Sequence, residues 1–467
     1  MSKNLTEGSI VKSLLTLAVP IIFASLLQTA YQLVDTFWVG RLGANAVAAV
    51  SLSFPIFFLL ISLGGGFSIA GTILVAQYKG EKNQRKIDQI SSQTLMITLF
   101  LSLLLSALGY FLATPLITLM GADSVILPQA LSYIKTIFLG LTFLFIFSMF
   151  QSLMRGIGNV KTPLYIVFGT VILNLILDPL FIFGYSIVPA MGVKGAAIAT
   201  ILTQSIAAII GLSLLFKEKY GINIKIKYLK PDFKIFKKIF FLGLPASLGQ
   251  TTSAFGITLI TFLVASFSTT AIASYGIGGR ILSFIIIPTI GLSMATSTLV
   301  GQNIGAKKID RAEKIVKIST MIGFVTLTLV GLIIFIFAKQ LTTFFIPTDT
   351  AVIAGSTLFL KIMSLTFGFL AIQQIISGAF RGSGNTLISM IIAIVSLLVL
   401  RFPLAYIFSK HTSLLETGIW WAFPISNILT AIIAVLWFAK GSWKNKKIIE
   451  EIKLEVEDET IIEEGIL

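Results

Sequence analysis

Cysteine is absent from the chain and histidine occurs once, as His411. Disulfides, thiolate metal sites and cysteine nucleophiles are therefore excluded, and one histidine cannot build a histidine-based metal centre. Charge is scarce as well. Asp, Glu, Lys and Arg make up 12% of the 467 residues, against about 25% in a soluble domain. The run Gly64-Gly65-Gly66 is followed by no Gly-Lys-Ser/Thr, so it is not a phosphate loop and gives no ground for ATP drive. It reads as a place where helices approach closely. What the chain has in excess is apolar: 56% hydrophobic residues, 38 Phe and a mean hydropathy of +0.96. Such a chain is solvated by lipid, which removes soluble multidomain, disordered and coiled-coil readings.

A spanning helix needs about 20 apolar residues. Twelve stretches qualify, near 13–38, 46–76, 92–114, 131–153, 162–185, 192–216, 238–265, 271–301, 316–338, 355–379, 386–409 and 417–440. They are too long and too uniformly apolar to be barrel strands. The formal net charge of +15 raises nucleic acid as a partner, but its distribution answers otherwise. The loop between spans two and three carries Lys79, Lys82, Arg85 and Lys86, and that between eight and nine carries Lys307, Lys308, Arg311, Lys314 and Lys317. The loop between six and seven holds eight lysines from Lys217 to Lys238, Lys219 among them. The positive-inside rule then places both termini in the cytoplasm and leaves no charge that calls for nucleic acid. The acidic stretch Ile448–Leu467 reads as a cytoplasmic solubilising tail.

The chain repeats itself. Pro20 recurs as Pro245, Ala46-Val47-Ala48 as Ala271-Ile272-Ala273, and Gln77 with Gly80 as Gln302 with Gly305. Nearly the same offset carries Lys135 onto Lys361, Gly192 onto Gly418, and Arg155-Gly156-x-Gly158-Asn159 onto Arg381-Gly382-x-Gly384-Asn385. Six spans match six, so both halves start on the same side of the membrane and are parallel repeats. The expected fold is an all-α polytopic membrane protein with twelve transmembrane helices in two six-helix lobes around a central cavity. The N-terminal lobe covers 1–216, a basic linker 217–237, the C-terminal lobe 238–440 and a tail 441–467. Matched bundles of this size point to alternating access and transport.

Only two carboxylates, Asp35 and Asp178, fall within the expected spans. A charged Asp near the bilayer centre costs roughly 3 kcal/mol, so each is a functional candidate by default. Burial disfavours the charged form of a carboxylate, which makes such a group a candidate proton carrier. Gln28, Tyr31 and Gln32 share a helical stripe with Asp35, and Asn174 lies one turn from Asp178. A structural role stays open for both acids: Asp35 pairing with Arg41, and Asp178 capping a helix that restarts at Pro179. The C-terminal spans hold amides and cations in place of acids: Gln250, Gln373, Gln374, Asn427, Arg280 and Arg401. These are candidates for the substrate cavity, and Arg280 and Arg401, deep in their spans, argue against a purely cationic substrate. Lys135 and Lys361, near helix ends, are expected to snorkel.

The Gln-x-x-Gly endings of the second and eighth spans, the two Arg-Gly-x-Gly-Asn turns, and the small-residue openings Gly192-x-x-Gly195-Ala196-Ala197 and Gly418-Ile419-Trp420-Trp421-Ala422 together resemble the multidrug and toxic compound extrusion (MATE) family over about residues 10–440, and within it the DinF-like branch. The resemblance implies a V-shaped pair of lobes that extrudes bulky amphipathic compounds against an inward proton or sodium flux. It implies a cation site in the N-terminal lobe at Asp35, Asn174 and Asp178, with Tyr31 and Tyr133 nearby, and a first-helix proline, Pro20, linked to bending on protonation. A proton is favoured over sodium, because Ala196 stands where some relatives place a hydroxyl; sodium at Asp35, Asn174 and Asp178 is the alternative. No cofactor and no enzymatic activity are expected, and the chain is expected to work as a monomer in the plasma membrane of a prokaryote. Two rival readings are weaker. A lipid-linked precursor flippase of the same superfamily would show more spans and a basic cavity. An intramembrane aspartyl protease would need Tyr-Asp and Gly-x-Gly-Asp, whereas Asp35 follows Val34 and Asp178 follows Leu177.

Overall fold

The computed structural model describes residues 5–218 and 220–445. The acidic tail and Lys219 lie outside the described residues. Among the described residues every regular element of any length is a helix. The N-terminal half consists of α1 (Ile10–Gly40), α2 (Ala44–Glu81), α3 (Gln84–Leu119), α4 (Leu127–Gly156), α5 (Lys161–Phe183) and α6 (Val193–Phe216). The C-terminal half consists of α7 (Phe233–Ala265), α8 (Thr269–Gly305), α9 (Ile309–Phe345), α10 (Thr350–Ser364), α11 (Phe367–Gly382), α12 (Thr386–Ile394), a π-helical turn (Val395–Arg401), α13 (Phe402–Lys410) and α14 (Glu416–Ala439). The run α12–π–α13 crosses as one 25-residue span, and α10 with α11 forms another that is bent by 55°. Counted so, the described residues make twelve spans, six in each half.

Local chemistry sets the ends. Asn83, Asp232, Ser268 and Asp349 each accept a backbone N–H of the first turn of the helix they precede, satisfying donors that would otherwise be orphaned. The two Arg-Gly-x-Gly-Asn segments fold alike. Gly158 and Gly384 take φ of +85° and +83°, the left-handed conformation that glycine adopts without penalty. Asn159 N–H then donates to Met154 O at 2.9 Å, and Asn385 N–H to Phe380 O at 2.7 Å, closing each helix with a Schellman-type bond.

The tenth span, expected near 355–379, is not one continuous helix. It breaks at Leu365–Thr366, with neither Pro nor Gly at the break. The Ser364 hydroxyl donates to Lys361 O and that of Thr366 to Met363 O. Interior hydroxyls thus satisfy carbonyls that lipid could not. The linker is held too: Gln93 on α3 donates to Tyr228 O and Lys230 O and accepts from Asp232 N–H, while Asp88 pairs with Lys225 at 3.5 Å.

The two halves meet reciprocally. The Gln77 side-chain amide donates to Gly382 O at 3.1 Å, and the repeat-related Gln302 amide donates to Gly156 O at 2.8 Å. A side chain at Gly80 would run into the Gln302 carbonyl, and one at Gly305 into the Gln77 carbonyl. Such exchange of equivalent contacts is what a two-fold axis between parallel repeats produces. Higher up, Gly66 abuts Ser247, whose hydroxyl donates to Leu63 O, so the glycine run is a close contact between helices. Leu5 is 2% exposed beneath Gly158 and Asn303, and Lys308 and Arg311 donate to the backbone of Thr6, Glu7 and Gly8. Among the described residues, every side-chain hydrogen bond between the lobes lies between mid-helix and the end that carries the basic loops. The lobes are closed at that end.

Candidate functional site

Helices α1, α5 and α6 pack side by side in the N-terminal lobe, and their facing sides are polar. Asn174 and Asp178, four residues apart on α5, are both fully buried, and the Asn174 amide donates to Asp178 Oδ1 at 2.8 Å. Asp35 on α1 is half-buried, and its carboxyl lies close enough to that of Asp178 to interact directly. The Tyr31 hydroxyl shares a 2.9 Å hydrogen bond with the Thr203 hydroxyl of α6. Tyr133 of α4 lies within electrostatic reach of Asp35, Tyr31 and Asp178 and packs against the small buried cluster of Val39, Ala46, Ile182, Val193 and Ala196.

Several oxygens in this group are buried without a partner: Asp35 Oδ1, Asn174 Oδ1, Asp178 Oδ2 and Thr200 Oγ1. An unpaired buried polar atom costs about 1–3 kcal/mol, and four in one place need a purpose. Three of them can only accept, so what they lack is a proton or a cation. No group of three or more His, Cys, Asp or Glu is gathered among the described residues. The oxygens of Asp35, Asn174 and Asp178 would hold sodium if it were the ion bound. A cavity of about 230 Å³ opens between α1 and α2, lined by Thr36, Val39, Val47 and Val50; Asp35 is not among its lining residues.

Neither structural role left open for the acids is seen. The Arg41 guanidinium lies over the Phe37 and Trp38 rings at 4.9 and 5.7 Å. Asp178 is no cap, for α5 runs unbroken through Pro179 to Phe183. The stripe expected on α1 divides: Tyr31 and Asp35 turn inward while Gln28 and Gln32 are exposed. Positions 28, 32 and 35 lie near one face, but its edge already looks outside the lobe. Thr200 and Thr203 were not picked out from the sequence. Both lie on α6 at helical spacing from Ala196, so the hydroxyls missing at Ala196 stand one and two turns further along. Pro20 is buried inside α1, where Gly291 of α8 lies against Ala18 O and Ile22.

The cavity candidates of the C-terminal lobe do not form one cluster. Arg401 and Asn427 meet at 2.7 Å. Gln250 instead lies against Gly65 across the lobe boundary. Gln373 is buried with Oε1 unpartnered, and Gln374 accepts from Ser293 through its backbone carbonyl. Arg280 is exposed on α8. Lys135 and Lys361 each extend over a ring, Tyr110 and Phe335, at 5.4 Å in both lobes.

Comparison with known proteins places this architecture. The MatE family matches residues 20–180 and 245–407, one stretch in each lobe. The chain is 28% identical to the probable multidrug resistance protein YoeA of Bacillus subtilis strain 168, over 97% of this chain and 98% of that one. It is 27% identical to the multidrug export protein MepA of Staphylococcus saprophyticus, over 92% and 94%. A solved structure described as the outward-facing conformation of a multidrug resistance MATE family transporter superposes with a TM-score of 0.88 at 25% identity, covering 95% of this chain and 98% of that one. With twelve spans in two matched lobes and the family match falling once in each, this chain belongs to the MatE family of membrane transporters.

Proposed function

We propose that the protein is a secondary active multidrug exporter that exchanges bulky amphipathic compounds for protons. It would act as a monomer in the plasma membrane of a prokaryote, with both termini in the cytoplasm. The observation that carries this reading is the meeting of Asp35 with Asp178 among buried oxygens that have no partner. Two neighbouring carboxyls, one fully buried and one half-buried, repel if both are charged, so the pair takes up a proton as a unit. Opening to the acidic exterior loads it. The neutral pair can then be enclosed by apolar helices, and Pro20, which lacks an N–H and weakens α1 at that point, offers a place for the helix to bend. Closure expels the substrate, and opening to the more alkaline cytoplasm releases the proton. The lobes are closed at the basic-loop end, which the positive-inside rule assigns to the cytoplasm, so this is the form that would face outward.

Proteoliposomes test the reading. Efflux is expected under a proton gradient alone and not under a sodium gradient alone; the reverse result would assign sodium to the same oxygens, and efflux under neither would remove cation coupling. Orientation is tested separately. An impermeant reagent applied to intact cells should fail to label the loop between α6 and α7, and labelling there would invert the topology.

A further inference from the structure

The C-terminal lobe contains a buried cationic site that the proton mechanism does not use. Arg401 ends the π-helical turn. Its Nε donates to the Ser426 hydroxyl at 3.0 Å and its Nη2 to Asn427 Oδ1 at 2.7 Å, and its guanidinium lies 4.7 Å from the centre of the Phe423 ring. All three partners sit on α14. Asn427 is itself fixed by donating to Thr366 Oγ1 at the break between α10 and α11. Both acceptors are neutral, so none of these contacts cancels the charge. The carboxylates of the described C-terminal half, Asp232, Asp310, Glu313, Asp349 and Glu416, lie in loops or in the first two turns of helices, and Arg401 forms no ion pair among the described residues. A guanidinium deep in a span without a counter-ion is costly, and such residues pair with something.

The surroundings say what that could be. Nη1 makes no hydrogen bond among the described residues, and both Arg401 and Tyr275 are half-buried, with exposed Thr261 of α7 beside Tyr275, so the site has an open edge. Behind it is an aromatic wall: Tyr275 stacks on Trp420 with 5.9 Å between centroids, and Phe359 meets Trp420 edge-on at 4.8 Å. An acid group reaching Arg401 would bring its apolar body to the half-buried ring of Tyr275, which Trp420 and Phe359 back from fully buried positions. The repeat adds a second argument. Ser426 is the counterpart of Thr200, and Arg401 stands one residue beyond the counterpart of Asn174, the π turn having widened the helix there. The place that carries acids and their amide in one lobe thus carries a cation in the other.

We infer that the Arg401 cluster binds the acidic group of an amphipathic anion, so that anionic aromatic compounds are among the substrates. This rests on the transport reading for its purpose but not for its test. Binding of two dyes with one ring system and opposite charge, fluorescein and rhodamine 6G, is measured by fluorescence polarisation on the purified full chain in neutral detergent, without a gradient. Arg401→Gln should weaken fluorescein at least tenfold and leave rhodamine 6G within about twofold of wild type, a tenfold change being about 1.4 kcal/mol. Arg401→Lys, which keeps the charge, should retain part of the affinity. Asn427→Asp leaves the arginine in place and gives it an internal carboxylate, so it should also lose fluorescein. Wild type that binds rhodamine 6G but not fluorescein would overturn the assignment, as would unchanged fluorescein binding in Arg401→Gln and Asn427→Asp, or equal loss of both dyes in all three variants. Competition by benzoate supports a soluble organic acid as the source of the group, and competition by phosphatidylglycerol alone a lipid headgroup. If the dye results hold but proteoliposomes show no efflux, the transport reading fails and the anion site stands. Intact efflux of rhodamine 6G with charge-indifferent binding leaves transport standing and removes the anion site.

Discussion

In the N-terminal lobe the polar groups enclosed between α1, α5 and α6 are oxygens, several without a partner. In the C-terminal lobe the equivalent face of α14 holds Arg401 in hydrogen bonds to Ser426 and Asn427. The two lobes share their frame, with the same glycine turns, the same lysine-over-ring contacts and the same amide-to-carbonyl bonds across the boundary, while the backbone near Arg401 differs by its π turn and by the break between α10 and α11. Duplication has therefore kept the parts that shape the lobes and let the interior chemistry diverge in sign. On the roles proposed above, a scaffold that closes symmetrically would treat a proton on one side and an organic group on the other as different cargoes.

The comparison is broken most severely at the acids. Asp35→Asn and Asp178→Asn should each reduce gradient-driven efflux to background while the protein still reaches the membrane, because removing a buried charge seldom unfolds a protein that tolerated it. The double variant should be no worse than either single one, as expected of groups that act as a unit. Efflux against an imposed pH gradient, normalised to membrane protein, measures this, and full activity in both single variants would reduce the acids to structural residues. Next come the glycines of the seal. Gly80→Ala and Gly305→Ala each push a methyl group into a backbone carbonyl of the other lobe, and overpacking of this kind costs about 1–3 kcal/mol. The chain lacks cysteine, so a single Thr298→Cys reporter, fully buried on α8, can be followed with a maleimide. Its labelling rate should rise by about tenfold in both variants; a rise in one alone would contradict the reciprocal seal. Gln77→Ala and Gln302→Ala should act in the same assay, equally and more weakly, each losing a hydrogen bond worth about 0.5–1.5 kcal/mol. The smallest effect is expected from Gln373→Ala. Because the C-terminal lobe carries no coupling acid, the number of protons exchanged per substrate should not change, and loss of coupling with substrate binding retained would move the ion site.

Much of this was legible in the sequence, for identifiable reasons. Apolar runs must match a bilayer, so the twelve spans follow from length alone. Arg-Gly-x-Gly-Asn announces its turn because the glycine is needed at positive φ. Asp35 and Asp178 stand out because acids are rare in lipid. Other features left no such mark. The break at Leu365–Thr366 lacks Pro and Gly and depends on hydroxyls bonding within their own helix and on the amide of Asn427. The π turn at Val395–Arg401 consists of apolar residues and one serine, Ser396, before its arginine. Thr200 and Thr203 look like any threonines in a span until α1 and α5 are packed against them. The split between Tyr31 with Asp35 and Gln28 with Gln32 required knowing where the neighbouring helices end. What periodicity conveys is which residues share a face; which part of that face is covered is decided by tertiary packing.

The crossing of Gln77 and Gln302 constrains how the closed end can come apart. Each glutamine supplies both an amide that holds the opposite lobe and a backbone carbonyl on which the opposite glycine rests. A movement that frees Gly80 from Gln302 therefore loosens the footing of the Gln302 amide, and the same holds with the halves exchanged. Peeling from one edge offers no intermediate in which half the seal is relaxed. Release should be a single cooperative event, with a sharp threshold between sealed and open, and leakage through a partly parted gate is suppressed by the arrangement itself.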